Sequence, residues 1–469
     1  MDLTELSSKP VVMLKYPIFT TNIVLLLFST NVNSAEYRFT PGLSLSTIYI
    51  DNAYTLFGEE KTSDTIYEVS PQFQLAANGR QMDVSASYKM QALKYDKADE
   101  NEVNHQVDAR TNIEVLKENI FLDADVNRKK FIIDYNEPGL LDDYSLTTNK
   151  TDITTYHVTP QLKLRLWNGA TMEVKKTFTQ IEYGEEEKTR YKKEDIYAIA
   201  RTETLGGDLL LGLNYKESKD KSTDFEYRQE FASIAYSLTQ KIKLFSEYGH
   251  EFTNRNTSLT TNESIYVKNG VTWIPSSRSK LELSHGKRGF GKTSSLDAVF
   301  KSKTKVLNLS YSKDITSDAI RYGEQISEEQ DSLPGNELPG LDNRLYIREV
   351  YKLKLSKSTA KTLLGINYSK EKRGFEDGAQ NEEHNNYKID GAWRASSKTS
   401  FVISYAENKI EFETTGFENS TTSKIIGVSR KLRRTGNLSL NYSKSQQQFY
   451  NGFAKYETQI VKLSLLLPF

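Results

Sequence analysis

A short spelling returns along this chain: alternating apolar residues, then Tyr, then Ser, Lys or Glu. It reads Met82-Val84-Ala86-Tyr88, Leu209-Leu211-Leu213-Tyr215, Leu307-Leu309-Tyr311, Leu364-Ile366-Tyr368, Phe401-Ile403-Tyr405 and Leu438-Leu440-Tyr442. Apolarity at every second position marks a strand with one apolar face, and no window sustains the 3.6-residue period of a helix. Tyr368, Tyr405 and Tyr442 stand 37 residues apart. That interval holds two long strands, a short turn and a longer loop.

The connections alternate in character. Short polar turns at 356–360, 395–398 and 433–437 are followed by longer charged or glycine-bearing loops, such as Lys370 to Glu383 and Glu407 to Ser420. Short turns on one side and long loops on the other are the asymmetry of an outer-membrane barrel, with the short turns periplasmic. The pattern predicts an all-β, antiparallel up-and-down transmembrane barrel of about 22 strands, within roughly 20 to 24. The first predicted strand covers 42–52, the fourteenth 294–302 and the last 454–469. In this frame Tyr88, Tyr215, Tyr311, Tyr368, Tyr405 and Tyr442 fall at the outer ends of ascending strands, as an outer aromatic girdle.

The tail fits the same frame. Val461, Leu463, Leu465, Leu467 and Phe469 put an apolar side chain at every second position, and the chain stops on the aromatic. This reads as the closing strand and as a recognition signal for the barrel assembly machinery. A β-propeller would repeat at a similar interval with four short strands per unit. Two long strands per unit, and turns that alternate in length, argue against it.

Composition removes other classes. The chain has 469 residues and no cysteine, so disulfides, thiolate metal sites and thiol nucleophiles are excluded. Lys plus Arg and Asp plus Glu both total 62, so no net field attracts nucleic acid. Mean hydropathy is −0.60, which opposes a helical membrane protein but suits a barrel whose strands show lipid on one face only. Residues 1–35 read as a secretory signal peptide, with Ile23 to Phe28 as its apolar core and a better start at Met13. Residues 36–469 then form the barrel, located in the bacterial outer membrane. Its first strand starts too soon after residue 35 to leave an N-terminal plug domain.

One motif points elsewhere. Gly286-Lys287-Arg288-Gly289-Phe290-Gly291-Lys292-Thr293 satisfies the phosphate-cradling G-x-x-x-x-G-K-[ST] pattern. That chemistry needs a helix N-terminus after the loop, whereas Ser294 to Lys303 reads as a strand. The stretch is better read as a hairpin with positive φ at several glycines. His105, His157, His250, His285 and His384 share no metal-ligand spacing, and no G-x-S-x-G occurs, so no catalytic, cofactor or metal site is assigned and the chain is not read as an enzyme. Glu185 to Glu187, Asp142-Asp143 and Glu328-Glu329 read as solvated loop charge, with cation bridging to lipopolysaccharide as the alternative. The loop from Asp314 to Asn343 is a candidate constriction.

Several stretches resemble the outer-membrane β-barrel family associated with the PEP-CTERM/exosortase system, found beside exopolysaccharide biosynthesis loci. They are Thr40-Pro41-Gly42-Leu43-Ser44-Leu45 with Asp51-Asn52, Val69-Ser70-Pro71, Asn78-Gly79-Arg80, Tyr88, Tyr95 and Asn104-His105-Gln106. Further along they are Gly286 to Gly291, Ser295-Leu296-Asp297 and Leu309 to Ile315. The resemblance spans most of the chain after residue 35, implies a hairpin for the glycine-rich stretch, and carries no catalytic residues. It implies a role in exopolysaccharide production or secretion, with the export channel as one form of that role. A non-conducting structural or adhesive barrel displaying long loops is the alternative. Implied partners are outer-membrane lipid and lipopolysaccharide, the barrel assembly machinery, polysaccharide and periplasmic export proteins, and no nucleic acid. A lumen lined by Ser, Thr, Asn, Lys and Glu of both signs suits a neutral or mixed polymer.

Overall fold

The computed structural model describes residues 36–54, 61–98, 100–132, 143–147, 149–166, 169–183, 189–204, 208–221, 224–254, 262–316, 345–375, 381–432, 436–450 and 454–469. The segment read as a signal peptide lies outside them, as do Glu185 to Glu187, Glu328-Glu329 and residues 317–344 of the longest loop.

Twenty-two strands follow one another. They begin with β1 (Glu36–Ile50), β2 (Asp64–Asn78), β3 (Met82–Tyr95), β4 (Asn101–Leu116), β5 (Ile120–Ile132), β6 (Lys150–Arg165), β7 (Thr171–Tyr183) and β8 (Thr189–Thr204). Then come β9 (Leu209–Asp220), β10 (Phe225–Thr239), β11 (Ile242–Thr253), β12 (Glu263–Ser276), β13 (Ser279–Arg288), β14 (Gly291–Lys301) and β15 (Lys305–Thr316). The circuit ends with β16 (Tyr346–Ser358), β17 (Thr362–Phe375), β18 (Glu382–Arg394), β19 (Thr399–Phe412), β20 (Glu418–Leu432), β21 (Gly436–Phe449) and β22 (Ala454–Pro468). Each strand pairs antiparallel with its neighbours in sequence, and β22 returns to β1, from Gly42 opposite Pro468 to Ile50 opposite Ile460. Closure satisfies the backbone of every strand within the wall, which a structure in lipid requires.

The two faces of the wall differ as the alternation demands. Leu211, Leu213, Ile234, Tyr248, Ile403, Ile426 and Leu463 point outward and are exposed, Leu213 at 67%. Ser46, Ser70, Gln91, Thr155, Thr272 and Ser284 point inward. The tail residues Val461, Leu463, Leu465, Leu467 and Phe469 all fall on the outward face of β22, with Phe469 75% exposed. On the short-turn side, Trp393 stacks on Phe401 across β18 and β19 at 5.5 Å, and Trp273 is also exposed.

Each of the six tyrosines is the seventh residue of its strand, which places them in mid-strand rather than at the outer end. They mark the level where the outward face turns from apolar to charged, for example from Tyr368 to Lys370 and Lys372. Two of them meet further tyrosines across the ladder. Tyr311 lies 4.7 Å from Tyr351 and Tyr368 lies 4.9 Å from Tyr387, pairs of a kind worth about 0.5–1.5 kcal/mol beyond their area.

The strands run on past this level because charged residues pair across the ladder. Lys409 of β19 bridges Glu418 of β20 at 2.9 Å as well as Glu411 of its own strand at 2.7 Å, and Lys372 of β17 reaches Glu383 of β18 at 3.5 Å. Much of Lys370 to Glu383 and Glu407 to Ser420 is therefore strand, and only residues 413–417 connect β19 to β20. At two strand starts it is backbone pairing that extends the ladder: β1 starts at Glu36 rather than residue 42, its first residues lying opposite Phe73 to Asn78 of β2, and β14 starts at Gly291 rather than 294, opposite Arg288.

Candidate functional site: an inward-folded segment at the barrel seam

The first strands and the last strand build one inner surface. Ile48 and Ile50 of β1, Ile66 of β2, Leu93 and Tyr95 of β3 and Ile460 of β22 point into the lumen near its long-connection mouth and are buried together. Tyr144 and Leu146, from the connection between β5 and β6, pack on this surface. Leu146 N donates to Ala53 O at 2.7 Å, and Tyr95 OH donates to Tyr144 O at 2.8 Å. Gln106 Nε2 donates to Asp143 Oδ2 at 3.3 Å, so Asp143 is held against the wall rather than standing as free loop charge. Residues 143–147 thus fold into the barrel mouth.

Beneath this segment lies a fully enclosed carboxylate. The side chain of Glu68 on β2 is 0% exposed. Lys462 Nζ lies 2.5 Å away, Lys89 Nζ 3.5 Å, Ser70 Oγ 2.6 Å and Gln91 Nε2 3.3 Å. Lys462 also donates to Tyr144 OH at 2.6 Å and sits 5.0 Å from its ring centroid, while Tyr144 OH donates to Glu68 Oε2 at 3.5 Å. A carboxylate out of water is tolerated only when paired and hydrogen-bonded. Here the pairing cation comes from the far end of the chain. Asp51, just past β1, accepts from Gln459 N at 2.6 Å and closes the same seam above it.

Two similar knots stand elsewhere on the inner wall. Half-way round the ring, Arg288 of β13 holds Glu251 of β11 at 2.8 Å, and Tyr227 of β10 donates to the same carboxylate at 2.7 Å. On β16 to β18, Arg348 and Arg373 hold Glu371 at 2.9 and 2.8 Å, and His384 meets Glu382 at 2.8 Å. Phe225, Tyr346, Phe375, Phe449 and Tyr456 add buried aromatic side chains at this level. The lining is therefore not uniformly polar, because its mouth carries apolar side chains. Below them, Phe231, Phe245 and Tyr266 of β10 to β12 face the lumen beside Glu247 and Lys268. Tyr266 donates to Glu247, and the ring of Phe245 lies over Gly270, where no side chain would fit.

The glycine-rich motif is a hairpin. Gly286 pairs with Thr293, Lys287 with Lys292 and Arg288 with Gly291, leaving two residues in the turn and no helix. Gly291 alone among these glycines has positive φ, at 107°, where several were expected. Arg288 N–H groups face Glu251 and Asp314 rather than a phosphate. Among the described residues, no three His, Asp or Glu side chains are grouped to hold a metal ion. Residues 317–344 of the longest loop, expected as the constriction, lie outside the described residues, and Asp314 to Thr316 belong to β15. The segment that does enter the mouth, 143–147, carried no periodic signal; its apolar Tyr144 and Leu146 within an acidic connection were the only trace.

A closed ring of strands with an apolar outer belt and a partly polar inner wall defines a transmembrane β-barrel. No protein-family model matches the sequence, and no curated protein matches it. Among solved structures the chain is similar to the siderophore receptor PirA from Acinetobacter baumannii, with a TM-score of 0.48, 9% identity, and coverage of 92% of this chain and 80% of that one. It is also similar to OccK2 (OpdF) from Pseudomonas aeruginosa, with a TM-score of 0.36, 10% identity, and coverage of 92% and 98%. A third, the outer membrane protein opdK from Pseudomonas aeruginosa, shares 8% identity at a TM-score of 0.36 and coverage of 92% and 99%.

Proposed function

We propose that the chain is an outer-membrane channel for a neutral or mixed-charge polysaccharide, restricted at its outer mouth by residues 143–147. The observation that carries this reading is the inner-wall patch of Phe231, Phe245 and Tyr266 beside Glu247 and Lys268. Aromatic rings accept the C–H faces of sugar rings, and flanking groups of both signs bond hydroxyls without selecting an ion. The resemblance to the family found beside exopolysaccharide loci supports the same cargo. In this reading the short turns face the periplasm, as barrel asymmetry requires.

The test is single-channel recording on the refolded barrel. Neutral oligosaccharide should block the current from the periplasmic side, and Phe231→Ala with Phe245→Ala should raise the half-blocking concentration roughly tenfold, the equivalent of 1.4 kcal/mol. Loss of extracellular polymer from a deletion strain with an intact envelope would extend the result to cells. The buried apolar surface at the mouth favours a second reading, a closed barrel that conducts nothing. A bilayer without current after removal of residues 143–147 would select it.

A further inference from the structure

We propose that the short-turn rim between β10 and β21 is a docking surface for an acidic periplasmic protein. The inference takes its orientation from the outer-membrane reading and is independent of the cargo.

Net charge is zero over the chain, yet this rim is strongly positive. Among the described residues, the six connections in 239–243, 276–280, 301–305, 354–362, 393–399 and 429–432 with 436–437 carry fourteen Lys or Arg and no Asp or Glu. Each presents an exposed cation: Lys241, Arg278, Lys303, Lys357, Lys398 and Lys431. Among the described residues none of these six has a carboxylate partner. Higher on the same strands the cations are paired, as in Lys313 with Glu349 at 3.0 Å and Lys388 with Asp390 at 3.6 Å. Lys305 even stands directly opposite Lys357 in the ladder, an arrangement that destabilises a sheet unless an anion answers it.

The arc is one-sided. The other four short connections carry carboxylates, among them Asp83, Glu114, Glu118, Glu173 and Glu203. Anionic lipid surrounds a barrel evenly and would favour a net positive charge on all ten, whereas in the other four these carboxylates stand beside Arg80, Lys117, Arg165 and Arg201. An anionic polymer in transit would next meet Glu247, Glu282 and Asp390 on the inner wall. Twelve strands at about 4.8 Å spacing give the arc a span of roughly 50 Å, the scale of a protein domain rather than a small anion. Complementary charge over such a patch steers and orients a partner.

The test is lysine labelling in native envelopes, using an amine-reactive ester and mass spectrometry. Relative to exposed Lys117 on the opposite arc, Lys303, Lys357 and Lys398 should react about tenfold more slowly in permeabilised envelopes than in the purified barrel. A wash at about 1 M salt, where the screening length is about 3 Å, should abolish this protection and release an acidic protein. A Lys357→Glu, Lys398→Glu variant should lose protection at Lys303, with folding checked by heat-modifiable gel mobility. Should that variant fail to fold, the salt wash of the wild-type envelope still decides. Protection that survives salt and disappears only on delipidation would assign the arc to lipid and overturn the proposal, as would equal labelling in envelope and purified barrel. Labelling of the arc by an impermeant reagent on intact cells would overturn the orientation itself.

Discussion

Lys462 of the last strand reaches Glu68 of the second strand at 2.5 Å inside the lumen, across the seam that joins the two ends of the barrel. Removing one partner of an enclosed pair strands the other. Glu68→Gln and Lys462→Met are each expected to cost about 3–5 kcal/mol, and the double variant less than their sum. Denaturant unfolding followed by heat-modifiable gel mobility measures this; additive losses would show that the two residues act separately.

Tyr144 and Leu146 hold the inward segment to the same wall. Tyr144→Ala with Leu146→Ser should leave the barrel folded and raise its single-channel conductance. Unchanged conductance would mean that the segment does not narrow the path.

Leu463 faces lipid within the apolar belt. Leu463→Arg should destabilise the barrel by about 2–4 kcal/mol if it lies near the bilayer midplane, while a change at inward Ser464 should cost less. Equal effects at the two positions would contradict the assignment of faces.

Deleting Phe469 should lower the amount of folded barrel in the outer membrane without altering the conductance of the molecules that insert. Its side chain stands outward at the end of β22, while its amide bonds to Pro41 O at 3.0 Å. Quantitative immunoblotting of heat-modifiable protein reads the first effect. Normal levels would remove the tail from the role of assembly signal.

Gly291→Val should disturb the β13–β14 hairpin, because φ there is 107°. Lys292→Ala should be silent in stability and in nucleotide binding, since Lys292 sits outward beside Lys287 in a turn with no helix behind it. Nucleotide affinity lost in this variant would revive the phosphate-loop reading.

Strand number and order were legible because outward alternation is local and repeats at each hairpin. Strand ends were not, since Lys370, Lys372 and Glu383 look like loop charge in a linear chain yet stabilise a ladder once paired. The site at the mouth was hidden for a related reason. Tyr144 meets Lys462 only after the ring closes, across 318 residues of sequence. Asp143 likewise reads as solvated until Gln106 is seen to hold it.

The seating of residues 143–147 depends on contacts with β1, β3 and β22 at once. β22 follows the other twenty-one described strands in the chain and joins β1, so the segment has no complete seat until the circuit is closed. An unfinished barrel is thus an unstoppered one. The inward fold of Tyr144 doubles as a built-in report that assembly is complete, readable as the protection of residues 143–147 from protease during refolding.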